Sequence, residues 1–325
     1  MLSRVVSLAL LLALLGGSVA AAATGEQPRL LVSKVRASDE AGDLVTVTAK
    51  GTGERSLLRS RPDLRRGLSA GEAPSWSPDG RFVAFSSKRG IWLVGADGSD
   101  ARRIPGTRGG YLPVFSPDGR TLAFARWRKS RLKDPIFGSS AIWLVDIETG
   151  KQRRLTALRD ELEQFPASFS PDGSTLLATR ISGGRSFDFE LVAIRFDGRT
   201  SELLVGRGGF GKYSPDGNRI VFMRYEESGK EAWDLYTVDA NGDNLRRLTD
   251  TPRIEEIDPT WHPSGQRIVY TRATTNRQSS ILTATIWQAN RDGSCAREYV
   301  ARPGQWLFTP SFEPGLGRAA GPLSC

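Results

Sequence analysis

Short apolar runs alternate with turn residues along almost the whole chain, and the alternation has a period. Ser77-Pro78-Asp79-Gly80 recurs as Ser116-Pro117-Asp118-Gly119, Ser170-Pro171-Asp172-Gly173 and Ser214-Pro215-Asp216-Gly217. His262-Pro263-Ser264-Gly265 is an altered fifth copy, and Glu313-Pro314-Gly315 is a degraded sixth. An aromatic residue precedes every copy: Trp76, Phe115, Phe169, Tyr213, Trp261 and Phe312. Behind each of the first five glycines comes an apolar pair: Val83-Ala84, Leu122-Ala123, Leu176-Leu177, Ile220-Val221 and Ile268-Val269. This pattern predicts a β-hairpin. The aromatic sits in a short strand, proline presets φ, aspartate caps the turn through its side chain, and glycine takes the positive φ that closes it. The apolar run is the next strand.

A second repeat is interleaved with the first. Ile91-Trp92-Leu93-Val94 leads to Asp97-Gly98, and Ile142-Trp143-Leu144-Val145 to Thr149-Gly150. Leu191-Val192-Ala193-Ile194, Leu235-Tyr236-Thr237-Val238 and Ile286-Trp287-Gln288-Ala289 lead to Asp197-Gly198, Asn241-Gly242 and Asp292-Gly293. Such dipeptides after an apolar strand are strong hairpin signals. A short fourth strand follows, as in Arg102-Arg103-Ile104, Arg153-Arg154-Leu155 and Arg246-Arg247-Leu248. One unit is therefore four short antiparallel strands at propeller-blade length. A lone blade cannot bury both faces, so such units stack radially about an axis.

Leu44-Val45-Thr46-Val47 is a sixth copy of the third strand, preceded by Leu30-Leu31-Val32 but by no first strand. The orphan first strand lies at the other end, around Thr309-Pro310-Ser311-Phe312. The chain is thus expected to be all-β: a six-bladed β-propeller of four-stranded antiparallel blades. Its ring is closed by N- and C-terminal strands that share one blade, residues 307–312 pairing beside residues 30–32. Residues 24–325 form a single propeller domain on this reading.

The first 23 residues read as a signal peptide. Arg4 supplies the positive start, residues 5–15 are apolar apart from Ser7, and Ser18-Val19-Ala20 is a small-residue cleavage site, with a second cut available after Ala23. The competing reading is an uncleaved anchor, for which the apolar stretch is short. Export would place the protein in the periplasm, in the cell envelope or outside the cell. The 325 residues are 39% hydrophobic and 25% charged, and the part beyond the first 23 reads as soluble and globular with no membrane span. A net charge of +9 favours anionic partners in general, but export argues against nucleic acid. In an oxidising compartment Cys295 and Cys325 can form one disulfide; the alternative is a frayed tail with free Cys325.

Pro74-Ser75-Trp76-Ser77-Pro78-Asp79-Gly80, the apolar strand after it and the run from Asp239 through Thr249 resemble the TolB-type WD-like propeller repeat. The resemblance covers essentially all of the mature chain. It implies a TolB-like six-bladed propeller, but without the α/β domain that precedes the propeller in TolB. TolB partners a peptidoglycan-associated lipoprotein and Tol membrane proteins. The resemblance therefore implies a protein partner.

Groups for chemistry are scarce. His262 is the one histidine, and it reads as a turn residue with a solvated ring rather than a base. No Gly-x-Ser-x-Gly elbow is present. Asp239-Ala240-Asn241-Gly242-Asp243 resembles a calcium loop but lacks the distal glutamate, and reads as a hairpin turn. Asp79, Asp118, Asp172 and Asp216 are copies of one turn device. The expectation is a non-catalytic, monomeric binding propeller with no metal and no cofactor, bound to an envelope or extracellular protein, with a glycan as a further ligand class. The alternative is a carbohydrate-active or other hydrolytic propeller acting from the central channel.

The binding face is expected opposite the Pro-Asp-Gly turns, where the second-to-third-strand loops and blade linkers vary. Trp127, Trp233 and Trp306 fall there outside the repeat slots, with Arg126, Arg128 and Arg131. Exposed tryptophan beside arginine is typical of protein-binding hot spots. The basic Arg59, Arg61, Arg65 and Arg66 and the acidic Glu226, Glu227, Glu231, Glu255, Glu256 and Asp258 divide the charge across that face. The alternative is that the tryptophans wedge between blades and the charges are solvated.

Overall fold

The structure is a computed structural model that describes residues 28–36, 42–48, 51–65, 68, 73–87, 90–128, 138–182, 188–196, 201–225, 232–276, 281–316 and 320–325. The chain opens with β1 (Leu30–Arg36), β2 (Gly42–Val47) and β3 (Arg55–Ser56). Blade 2 is β4 (Ser75–Trp76), β5 (Phe82–Ser87), β6 (Gly90–Gly95) and β7 (Arg102–Arg103). Blade 3 is β8 (Gly110–Phe115), β9 (Thr121–Arg128), β10 (Ser139–Asp146) and β11 (Gln152–Arg154). Blade 4 is β12 (Leu162–Phe169), β13 (Thr175–Ser182), β14 (Asp188–Arg195) and β15 (Ser201–Gly206). Blade 5 is β16 (Gly208–Tyr213), β17 (Arg219–Tyr225), β18 (Trp233–Asp239) and β19 (Arg246–Arg247). Blade 6 is β20 (Ile254–Trp261), β21 (Arg267–Thr275), β22 (Ile281–Asn290) and β23 (Arg297–Val300).

The last strand, β24 (Gln305–Phe312), returns to the start and completes blade 1 in the order β24-β1-β2-β3. Leu30 pairs with Phe312 and Lys34 with Leu307, as the orphan strand predicted. The molecule is a six-bladed β-propeller of four-stranded antiparallel blades. One short helix, α1 (Pro62–Arg65), lies in the linker from blade 1 to blade 2, where the sequence pattern gave no helix signal; it buries Leu64.

Each blade is buried on both faces, so its central strands are apolar throughout rather than alternating. Leu31 and Leu44 pack with Val83, Phe85 and Trp92 of blade 2. Leu30, Val32 and Val45, on the opposite face, pack with Val269 and Ile286 of blade 6. The same sandwiching repeats around the ring, and closure leaves no unpaired inner edge.

The Pro-Asp-Gly turns are bonded alike. Ser116 Oγ donates to Asp118 Oδ1 at 2.5 Å, Asp118 Oδ1 accepts from the Arg120 N–H at 3.0 Å, and Ser116 Oγ accepts from the Thr121 N–H at 3.0 Å. Ser170 and Asp172, and Ser214 and Asp216, repeat the hydroxyl bond at 2.5 Å. These serine bonds hold the carboxyls of Asp118, Asp172 and Asp216 below the usual range. The turns also touch one another. A Cβ on Gly119 would lie 3.6 Å from Pro78, one on Gly173 3.7 Å from Pro117, and one on Gly217 3.3 Å from Pro171. Each proline therefore abuts the glycine of the next blade, and the turns form a continuous rim.

Candidate functional site

The inner strands line a central channel. Each enters from the linker side and ends in a turn of the first repeat, and β8, β12, β16, β20 and β24 carry an irregularity in their register. The register breaks between Tyr111 and Val114, Gly209 and Lys212, and Ile257 and Thr260. At these breaks, and at a fourth in β24 between Phe308 and Ser311, Leu112 (φ 53°), Phe210 (φ 56°), Asp258 (φ 53°) and Thr309 (φ 51°) take left-handed backbone. Three of the four precede proline, and Phe210 precedes Gly211. A β-bulge of this kind re-aims side chains, and these four line the channel.

The N–H groups freed by the bulges are caught by the preceding blade. Leu112 N donates to Ser86 Oγ at 3.0 Å, Phe210 N to Thr179 Oγ1 at 2.7 Å, and Thr309 N to Asp258 Oδ2 at 3.3 Å. Two aromatic-slot tryptophans add a second tie. Trp76 Nε1 donates to Ser311 O at 3.2 Å and Trp261 Nε1 to Lys212 O at 3.0 Å, each reaching the inner strand of the blade before.

The channel cavity has a volume of about 120 Å³. One side is apolar, built by Leu112, Pro113, Val114, Pro166, Ala167 and Phe210. The other is polar, built by Lys212, Asp258, Thr260, Thr309 and Ser311. Lys212 Nζ donates to Ala167 O at 2.6 Å. Burial pushes the Lys212 ammonium down to about 8, and burial pushes the Asp258 carboxyl up to about 6 against the opposing pull of the Thr309 N–H and Lys212. Tyr111, Phe165 and Phe210 form an aromatic ladder on the linker side, with ring centroids 5.8 and 6.3 Å apart.

On the face opposite the turns, Trp127 is 51% exposed. Trp233 is packed away: its ring meets Phe189 edge-on at 4.9 Å and Tyr225 at 5.5 Å, bridging blades 4 and 5. Trp306 packs on Ala273, Ala284 and Phe308 and donates to Leu282 O at 3.3 Å. Of the three binding-face candidates, Trp127 is the one that stands exposed. Two of the basic candidates are also engaged. Arg126 lies over Trp143 at 4.4 Å and donates to Gly106 O and Gln152 Oε1 at 2.8 and 2.7 Å; Arg128 pairs with Asp160 at 2.8 Å. Arg131, Arg66, Glu226, Glu227 and Glu231 lie outside the described residues, as does the 1–23 segment.

The acidic side is likewise built into the fold. Glu255 Oε2 accepts from Trp233 N at 2.9 Å, Glu256 is buried beside Arg272, and Asp258 lines the channel. His262 corrects the expectation of a solvated ring. It is buried, meets Phe312 edge-on at 4.8 Å, and its Nδ1 accepts from Ser264 N at 3.1 Å. Cys295 and Cys325 are disulfide-bonded with Cα atoms 4.9 Å apart. Among the described residues no group of three His, Cys, Asp or Glu side chains could hold a metal ion, and no helix is long and apolar enough to cross a membrane.

No family model matches the chain. A segment of 118 residues is 37% identical to the Tol-Pal system protein TolB of Anaeromyxobacter dehalogenans; it covers 36% of this chain and 25% of that protein. TolB of Acinetobacter baumannii superposes with a TM-score of 0.67 at 22% identity, over 88% of this chain and 67% of that one. The fold is that of a TolB-like propeller. A structure described as putative TolB from Agrobacterium tumefaciens superposes at 0.63 with 19% identity, over 89% of this chain and 99% of that one. The chain matches only a quarter of the length of its Anaeromyxobacter relative.

Sequence reasoning missed two features of this TolB-like propeller. The first is an arginine slot in the second strand of a blade. Arg126, Arg224 and Arg272 lie 4.4, 5.3 and 4.2 Å from Trp143, Tyr236 and Trp287, the aromatics of the neighbouring third strand. The signal was present as an arginine at a constant distance behind the apolar pair. In blade 4 the arginine slot holds Arg180 and the aromatic slot Val192. The second feature is the Lys212 and Asp258 pair, whose residues belong to different blades and share no local motif.

Proposed function

We propose that this chain is an exported, non-catalytic binding propeller of the cell envelope, which takes a protein partner on the face opposite its Pro-Asp-Gly turns. The observation that carries the reading is the 37% identity with a Tol-Pal system protein on a TolB-like fold. The apolar segment in residues 5–15, followed by Ser18-Val19-Ala20, supports export. Trp127 supports the choice of face: a large aromatic, 51% exposed beside Arg126 and Arg128, has the character of an interface anchor.

Site-specific photocrosslinking in the native cell tests this. A photoreactive phenylalanine at Trp127 should trap a defined envelope protein, and one at Asp172, on the rim of turns, should not. The same sample should show a mature mass that begins after Ala20 or Ala23. Retention of Met1, or equal trapping from both faces, would remove the proposal.

A further inference from the structure

We propose that the outer edge of the propeller binds a carboxylate-bearing polysaccharide, a flexible linear polyanion that follows the arginines of successive blades. The site lies on the circumference of the ring, apart from the protein-binding face, and does not rest on it.

The outermost strands share one register position. It is the residue paired with the third position of the apolar third-strand motif. In blade 1 it is Arg55, opposite Thr46; in blade 2 Arg102, opposite Leu93; in blade 3 Arg153, opposite Leu144. In blade 5 it is Arg246, opposite Thr237, and in blade 6 Arg297, opposite Gln288. All five arginines are exposed, and among the described residues none of them forms an ion pair. Blade 4 places Glu202, opposite Ala193, in the same position and still forms its outer strand. The blade plan therefore does not require the arginine. The acids nearest the belt are engaged by their own turns: Asp97 accepts from Ser99 N at 2.9 Å, and Asp292 from Ser294 N at 3.0 Å and Ser294 Oγ at 2.7 Å.

The outer strands are joined into one band. Arg246 Nη2 reaches Asp292 O of blade 6 at 3.5 Å, and a Cβ on Gly51 of blade 1 would lie 3.4 Å from Val300 of blade 6. A Cβ on Gly98 of blade 2 would lie 3.2 Å from Leu57 O, just past the outer strand of blade 1. Gln152 Nε2 of blade 3 donates to Pro105 O, just past the outer strand of blade 2, at 3.1 Å. The arginines thus form a basic arc through blades 5, 6, 1, 2 and 3, and it is interrupted at blade 4.

Shape and chemistry select the ligand. Successive blades of a closed ring face different directions, so a flat bilayer meets one blade edge at a time. Duplex DNA, with a persistence length of about 50 nm, is too stiff to follow the arc. Single-stranded nucleic acid is held by aromatic stacking platforms, and no exposed aromatic lies in these outer strands. A flexible polysaccharide can follow the curve. Its carboxylates match the planar guanidinium fork, and its hydroxyls suit the furrow beside Arg153, which Thr121, Thr149, Lys151 and Gln152 line.

The test uses the purified full chain and surface-immobilised alginate, read by biolayer interferometry. Alginate should bind, and uncharged dextran should not. Affinity should fall roughly tenfold or more between about 50 and about 200 mM salt. The uronate disaccharide, which cannot reach from blade to blade, should compete about tenfold or more less well than the polymer at equal carboxylate concentration. The double variant Arg102→Gln/Arg153→Gln should bind about tenfold more weakly. Arg120→Gln/Arg195→Gln removes the same charge from exposed positions off the arc and should stay within about twofold of the wild type. On the unaltered chain, alginate should protect Arg102 and Arg153, but not Arg120, from phenylglyoxal, read by peptide mass spectrometry; this decides the matter if a variant does not fold. Absence of alginate binding, equal losses in the two double variants, a disaccharide that equals the polymer, or tighter binding to polyphosphate, duplex DNA or phosphatidylglycerol vesicles would each overturn the site.

Discussion

His262 stands where four other turns carry serine, and the exchange rewires the turn. Nδ1 accepts the Ser264 N–H, so that nitrogen must stay unprotonated, and the ring is packed against Phe312. Burial pushes its pKa down to about 4, with Arg267 adding to the effect. The unfolded chain takes up this proton near pH 6.5 and the folded chain only near pH 4. Stability from neutral His262 is thus complete above about pH 6.5 and is lost as pH falls toward 4. Asp258 acts in the opposite sense, because its raised carboxyl binds a proton earlier in the folded state. Comparison with His262→Ser separates the two. Between about pH 7 and pH 4.5 the wild type should lose about 2 kcal/mol more than the variant by urea titration; parallel losses would show that the ring is not held neutral.

At the scale of the strand, the repeat's tryptophans do different jobs despite similar burial. Trp261 is tied to the preceding inner strand through Lys212 O at 3.0 Å. Trp92 Nε1 is buried without a hydrogen-bond partner, and the ring is covered instead by Arg61 at 4.9 Å. Trp261→Phe should therefore cost about 1 kcal/mol beyond the lost ring volume. Trp92→Phe should cost less, because it removes an unpaired buried N–H along with the bulk. Urea midpoints of the two variants check this, and a larger loss for Trp92→Phe would contradict it. The turns follow the same logic. Asp118→Ala removes the acceptor for both Ser116 Oγ and the Arg120 N–H, and a loss of about 1 kcal/mol is expected in the same assay.

At the scale of the whole molecule, the C-terminal tail is a strap over the closing joint. It leaves blade 1 after β24 and docks on blade 6. Leu323 is buried and exchanges hydrogen bonds with the Asn290 side chain at 2.6 and 3.1 Å, Arg267 Nε donates to Gly321 O at 2.6 Å, and Cys325 is bonded to Cys295. The sequence separation of the two cysteines is 30 residues, a loop whose closure stabilises by about 3–4 kcal/mol in the chain-entropy account. Cys325→Ser should lower the midpoint of a single cooperative transition by that order. Because the strap joins the last blade to the first, the loss should appear in probes of every blade, such as Trp76 and Trp261 fluorescence. A local fraying confined to residues 320–325 would contradict this.

The repeat alone determined the architecture. Five copies of turn, apolar pair and third strand admit one blade plan, and an N-terminal blade without its first strand, matched by an orphan first strand near the C-terminus, admits one closure, because unpaired strand edges are costly. The buried tryptophan slots and the turn chemistry followed for the same local reason: each depends on residues a few positions apart. What only the tertiary structure decided involves different blades. Trp233 looked like Trp127 in sequence, but Phe189 of blade 4 covers it. The arginines Arg126 and Arg128 looked free, but their partners lie across the sheet or in a linker. Lys212 and Asp258 face one lumen because a bulge re-aims each inner strand and ring closure then brings blades 5 and 6 side by side. Local periodicity encodes a blade, but convergence at the axis is a property of the closed ring.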